Sequence, residues 1–204
     1  MAVAPVIRLF GFRPTRPAFD NVLRDWIVPA MRGQAGVIEV YPGRQGPDEL
    51  GPRLVASIWE SDAAMDFALG GSARLDGRQP EELDGMADPT VEVLSAEITF
   101  RAEDAVDRPR IIRALRGRAR PGQLARYIEE ARAGVAADVA AGHGPSAFYL
   151  ARGDSADAFV ALSVWTSWGA IELATGGDIR RPTATRHPEL IESWEATHYE
   201  AIDL

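Results

Sequence analysis

The sequence predicts an α+β protein made of two β-α-β-β-α-β units in tandem, and three observations predict it. The first is an internal repeat. Ser57-Ile58-Trp59-Glu60-Ser61 returns as Ser163-Val164-Trp165-Thr166-Ser167, an offset of 106 (163 − 57). Gly70-Gly71 returns as Gly176-Gly177 at the same offset (176 − 70), and Arg16-Pro17 returns as Arg120-Pro121 at 104 (120 − 16), a drift that one short indel explains. The second is that strand-period and helix-period stretches follow one another in the same order in both halves. The third is that the third strand of each half is apolar on both of its faces. Such a strand is covered on both sides.

In the first half, Val6 to Arg13 reads as a strand. Phe19, Val22, Leu23, Trp26, Ile27 and Ala30 then fall on one face of an amphipathic helix, with Pro17 where a first-turn proline is tolerated. Gly36 to Tyr41 is a strand ended by Pro42-Gly43, and Arg53 to Glu60 is the next. Ser61 is placed to cap a short helix over Ala64, Met65, Ala68 and Leu69, which stops at Gly70-Gly71. Val91 to Phe100 closes the unit after an Asp/Glu/Pro-rich stretch.

The second half repeats this order. Arg110 to Arg116 is a strand, and Leu124, Tyr127, Ile128, Ala131 and Val135 mark a helix. Ala147 to Ala151 and Ala158 to Thr166 are the central strands. Ser167 caps a helix containing Ala170, Ile171 and Ala174, and Thr197 to Ile202 is the last strand. The domain division is therefore 1–100 and 110–204, with a charged, Pro-ended linker at 101–109. In the third strands, Leu54, Ala56 and Ile58 alternate with Val55, Ser57 and Trp59, and the second copy does the same. Helices can cover one face; the other half of the chain is the nearest cover for the second. The units are accordingly expected to be ferredoxin-like, with antiparallel sheets paired within one chain as an α+β barrel. A monomer suffices for that pairing, and further homo-oligomers stay open.

Composition narrows the function. A net charge of −8 without a basic cluster disfavours nucleic acid and anionic membrane surfaces. There is no Cys, hence no thiolate nucleophile, Fe–S cluster or Cys-ligated zinc. All 22 basic residues are Arg, so Schiff-base chemistry, covalent pyridoxal phosphate and a P-loop lysine are excluded. Residues 1–14 lack a basic n-region and Arg8 breaks their apolar run, unlike a signal peptide. No stretch of about 18 apolar residues exists, so a cytoplasmic protein is expected.

Arg16-Pro17 before its helix, Gly36-Val37 entering the second strand, Ser57 to Ser61, and Ala63 to Gly71 together resemble the antibiotic-biosynthesis monooxygenase-like (ABM) group of the dimeric α+β barrel superfamily. The match is densest over residues 5–71 and thinner in the second half. The resemblance implies a ferredoxin-like unit whose partner is usually a second chain and is here supplied by duplication. It also implies functions ranging from cofactor-free oxygenation of aromatic polyketides to haem degradation. The haem-degrading branch uses an Asn from strand one and a His from the helix after its Trp. This chain's one Asn, Asn21, falls on a predicted helix, and neither 64–71 nor 170–177 contains His. Haem degradation is not expected, and no cofactor or metal is.

Within that frame, the resemblance places Trp59 and Trp165 at a ligand cavity; plain core packing is the alternative and the commoner fate of such aromatics. Of the histidines, His143 and His187 fall in loop-like surroundings and read as solvated. His198 lies on a strand in Thr197-His198-Tyr199-Glu200, so alternation puts His198 and Glu200 on one face. They are the candidates for a general base and its orienting carboxylate; a solvated strand face is the alternative. Tyr149 and Tyr127 can donate to a phenolate or enolate oxygen, and Arg180, after Gly176-Gly177-Asp178, can rim a pocket for an anion. The enzyme reading is oxygen insertion into a phenolic or polyketide-like molecule, with His198 as base, Tyr149 as donor and Trp165 as wall. The alternative is a non-catalytic protein of the same fold that binds a small molecule or is purely structural. The first half, with no His and no Tyr but Tyr41, reads as a partner rather than a second site.

Overall fold

A computed structural model describes residues 4–70, 85–102, 110–182 and 187–202. Gly71, most of the acidic stretch after it and residues 103–109 of the expected linker lie outside the described residues. The chain forms two compact units, one of Met1–Ser95 with Tyr199–Leu204 and one of Ala96–His198. The expected division at 100 and 110 follows the repeat. The compact units do not, because each of two long strands begins in one unit and ends in the other.

The first unit contains β1 (Val6–Pro14), a helical segment, β2 (Val37–Arg44), β3 (Arg53–Trp59), α3 (Asp62–Ala68) and the start of β4 (Met86–Arg101). Its helical segment is α1 (Phe19–Val22), a π-helical turn (Leu23–Ile27) and α2 (Val28–Arg32). The second unit contains the end of β4, β5 (Ile111–Ala119), α4 (Leu124–Ala140), β6 (Ala147–Arg152), β7 (Ala158–Trp165), α5 (Trp168–Thr175) and most of β8 (Ile191–Ala201). Both follow the expected β-α-β-β-α-β order. β3 pairs antiparallel with β1 and β2, and β7 with β5 and β6. In the first unit β4 also pairs antiparallel with β1 up to Ser95, and in the second its end, Ala96 to Arg101, pairs antiparallel with β6. β3 is buried at all seven positions and β7 at all but its first, as strands apolar on both faces require.

The repeated pentapeptide has a structural reason. In both copies the first Ser and the Trp lie two apart on one strand face, and the indole N–H donates to the Ser hydroxyl: Trp59 to Ser57 at 2.9 Å and Trp165 to Ser163 at 2.8 Å. The second Ser leaves the strand and caps the next helix. Ser61 Oγ accepts from the Ala64 N–H and Ser167 Oγ from the Ala170 N–H, both at 3.1 Å. Trp59 packs with Val6 and Met65, and Trp165 with Ile111 and Ile171. α5 then ends at Gly176, whose φ of +69° is the left-handed conformation that suits glycine.

Four elements differ from expectation. The first helix contains the π turn, and the extra residue rotates its apolar stripe. Trp26, expected inside, is 75% exposed, while Val28 is fully buried in its place. β2 runs through Pro42-Gly43 to Arg44, because Pro42 to Arg44 pair with Val55 to Arg53. β4 and β8 are 16 and 11 residues long, well beyond the expected 91–100 and 197–202. Their polar and charged positions hide the period-2 pattern that marked the buried strands.

Candidate functional site

The second unit gathers its polar side chains around Arg113. Arg113 lies in the middle of β5, directly opposite Ser163, and is 2% exposed. A guanidinium buried this deeply needs acceptors. Its Nε and Nη2 donate to the Ile179 carbonyl at 3.2 and 3.1 Å, and Nη2 also donates to the Arg181 carbonyl. These carbonyls come from the turn after α5, some 66 positions away. Burial pulls the Arg113 pKa down to about 10, against the opposing influence of Tyr127 and Asp178, so it stays charged at neutral pH.

The Arg113 Nε–H also donates to His198 Nε2 at 3.2 Å. A guanidinium N–H can only donate, so His198 Nε2 carries the lone pair and the neutral ring is protonated on Nδ1. His198 is half-buried, and its ring lies 5.2 Å from that of Trp168. Burial, then the charge of Arg113, lowers its pKa to about 4; a hydrogen bond to the backbone of Ile179 opposes them. Glu200, the expected orienting carboxylate, pairs instead with Arg44 at 3.4 Å.

The other candidates are placed as follows. Trp59 and Trp165 are both fully buried with their N–H groups engaged by serines, so neither indole is available to orient a ligand. Tyr127 is buried on α4 with its ring 4.3 Å from that of Phe159, and burial raises its pKa despite nearby Arg113, so it remains a phenol. Tyr149 is buried on β6 opposite Leu162. Arg180 is 81% exposed and pairs with Asp178 at 3.4 Å. Of the remaining histidines, His143 is exposed, and His187 pairs with Glu189 at 2.8 Å and Glu130 at 3.3 Å. Thus one expected residue, His198, sits in a polar cluster, and the residue that organises it went unrecognised. The signal was present: a lone charge inside Ile111-Ile112-Arg113-Ala114-Leu115, matched by Arg8 inside Val6-Ile7-Arg8-Leu9-Phe10. Arg8 is 3% exposed, lies opposite Ser57, and has its guanidinium 5.1 Å from the centre of the Phe10 ring.

The first unit carries an open cleft of about 380 Å³ lined by Asp20, Arg24, Arg44, Glu49 and Arg53 among others. Neither His198 nor Trp165 borders it. Arg53 is 2% exposed. It holds the Asp20 carboxylate through Nε at 2.6 Å and Nη2 at 3.3 Å, and donates to the carbonyls of Gly51 and Glu49 at 2.8 and 3.0 Å. The first compact unit, which joins most of the half expected to be a partner with Ala201 and Ile202, therefore has a cleft large enough for a small molecule. Among the described residues no three His, Asp or Glu side chains are grouped to hold a metal, and no helix is long and apolar enough to cross a membrane.

No family model and no curated protein matches the chain. Solved structures do. A protein named "Putative monooxygenase" from Fusobacterium nucleatum subsp. nucleatum ATCC 25586 superposes with a TM-score of 0.73 at 11% identity, over 100% of this chain and 94% of the other. A second of that name, from Lactobacillus acidophilus NCFM, gives 0.70 at 13% identity over 98% and 95%. A Listeria monocytogenes 4b F2365 ferredoxin-fold protein, described as uncharacterized and related to antibiotic biosynthesis monooxygenases, gives 0.58 at 8% over 100% and 98%. The whole chain thus shares the ferredoxin-like fold of these monooxygenase-related proteins, as its motifs suggested. At such identities the likeness is one of fold, and sites have to be argued residue by residue.

Proposed function

We propose that this protein is a small-molecule-binding member of the monooxygenase-like fold in which the His198 centre maintains structure and does not abstract protons. One observation carries the reading: the only lone pair of neutral His198 is engaged by the buried Arg113 at 3.2 Å. A base must offer that pair to the substrate, and a group with a pKa of about 4 has little drive to deprotonate a phenol near 10. The two indole N–H groups are similarly committed to serines.

The second reading is cofactor-free oxygenation, with His198 as base, Tyr149 as oxyanion donor and Trp165 as wall. It is favoured by the half-buried position of His198 against the Trp168 ring and by the names that the fold neighbours carry. Oxygen uptake separates the two. The wild-type protein and His198→Gln are incubated with a panel of autoxidisable phenols and anthrones on an oxygen electrode. Binding without catalysis predicts uptake at the buffer rate for both proteins. Protein-dependent uptake that His198→Gln removes would overturn the reading in favour of oxygenation. Gln can still accept from Arg113, so this variant tests the base without dismantling its surroundings.

A further inference from the structure

The cleft of the first unit has one fixed wall and one loosely held cation. The Arg53–Asp20 pair is fixed, since the Arg53 donors described above are all spent on a carboxylate and backbone carbonyls. Arg44 is different. Its side chain is 44% exposed and its contacts are long, 3.4 Å to Glu200 and 4.0 Å to Asp20. Contacts at these distances exchange readily for a ligand carboxylate, which can take both guanidinium donors at once. Glu49 borders the same cleft, and its backbone carbonyl, not its carboxylate, receives Arg53. Ala18, Ala201 and Ile202 add an apolar strip.

The backbone around the cleft is unusual at two points. Ala18 has a φ of +60°, the left-handed region that a non-glycine residue seldom occupies. The π turn begins five residues later and contains Arg24. Strained residues and π turns concentrate where a fold has been shaped around a ligand. Charge sets the class of that ligand. Of the three lining arginines, Arg53 is spent on Asp20 and backbone carbonyls and Arg24 on Asp25 at 2.8 Å, which leaves the loosely held Arg44, and a single guanidinium matches a monoanion better than a phosphate dianion.

We propose that this cleft binds a small organic carboxylate that carries a hydrogen-bond donor. Arg44 holds the carboxylate, the Ala18, Ala201 and Ile202 strip covers the apolar body, and Glu49 accepts from a hydroxyl or ammonium group. The proposal rests on the small-molecule-binding reading above and gives it a site and a ligand class.

The test is isothermal titration of the full chain with 4-hydroxybenzoate, benzoate and inorganic phosphate. 4-Hydroxybenzoate is expected to bind about tenfold more tightly than benzoate, the worth of one hydrogen bond to a charged acceptor. Arg44→Ala is expected to weaken both acids by about tenfold or more, and Arg44→Lys, which keeps the charge, to recover part of the loss. Glu49→Gln should bring the two acids to similar affinities. Arg180→Ala, an exposed arginine of the second unit, should change nothing. Failure of both acids to bind, or binding indifferent to Arg44→Ala, overturns the proposal. Phosphate binding as tightly as the acids overturns the carboxylate assignment. Binding lost in Arg180→Ala but kept in Arg44→Ala overturns the cleft while leaving the small-molecule reading intact. Phenol-dependent oxygen uptake that requires His198 overturns that reading while the Arg44 result still decides the cleft.

Discussion

Replacing Ser163 by Ala removes one oxygen atom and should cost the protein a measurable fraction of its stability. Trp165 is 1% exposed, and its N–H has Ser163 Oγ as acceptor at 2.8 Å. Ser163 is itself 2% exposed, so no solvent route replaces the lost partner. An indole N–H left buried without an acceptor costs about 1–3 kcal/mol. The vacated space, on the order of 15 Å³, adds about 0.4 kcal/mol at about 24 cal/mol per Å³. The expected loss is therefore about 1.5–3 kcal/mol. Urea denaturation followed by far-UV circular dichroism measures it, with the slope checked for constancy. Trp165→Phe and the double variant complete a cycle whose coupling should be about 1–2 kcal/mol, because deleting both partners leaves no orphan. Ser57→Ala should behave alike, since Trp59 is fully buried and bonded at 2.9 Å. A Ser163→Ala loss below about 0.5 kcal/mol, or coupling within the roughly 0.3 kcal/mol of additivity, would refute the idea that the serine is kept for the indole.

The other predictions concern acid, packing and the π turn. His198 has its folded-state pKa lowered to about 4 from an ordinary 6.5, so the unfolded chain takes up a proton first as the pH falls. Its stabilising contribution is complete above about pH 6.5 and declines from there down to about pH 4. His198→Gln should flatten that part of the urea-midpoint profile, and an imidazole NMR titration should have its midpoint near 4; a midpoint near 6.5 would refute the burial argument. Gly117→Ala would place a Cβ 2.3 Å from the Phe159 ring, against which Tyr127 packs, and should cost about 1–3 kcal/mol with a change in near-UV circular dichroism. Trp26→Ser should stay within about 0.5 kcal/mol of wild type, whereas Val28→Ala should lose about 2 kcal/mol; equal effects in thermal or urea melts would mean that the π turn does not rotate the stripe.

Much of this fold is readable in the sequence because its signals are local. The Ser-Trp-Ser segments announce a strand end, an indole partner and a helix cap within five residues, and the α4 stripe from Leu124 to Val135 is buried as its spacing demands. What escaped is what depends on distant groups. Arg113 looks like an interruption in an apolar strand until the carbonyls of Ile179 and Arg181 arrive from beyond α5. His198 and Glu200 share a strand face by alternation, yet one takes Arg113 and the other Arg44, partners that no i, i+2 rule identifies. The π turn escaped for a different reason. Periodicity assumes a constant number of residues per turn, and Leu23–Ile27 breaks that assumption where Trp26 is turned outward. The cleft, lined from Ala18 to Ile202, draws on residues almost a full chain length apart.

The interleaved make-up of the two units bears on how the protein is made. The first unit is completed by Tyr199–Leu204, and its Arg44–Glu200 pair joins residues 156 positions apart. During synthesis β1 to β3 emerge early, but β2 waits for the last stretch of the chain before it meets Ala201 and Glu200. Contacts of such long sequence separation are entropically slow to form. A cut between residues 100 and 110 would separate the two copies of the sequence repeat and leave each fragment without a strand segment that its compact unit contains.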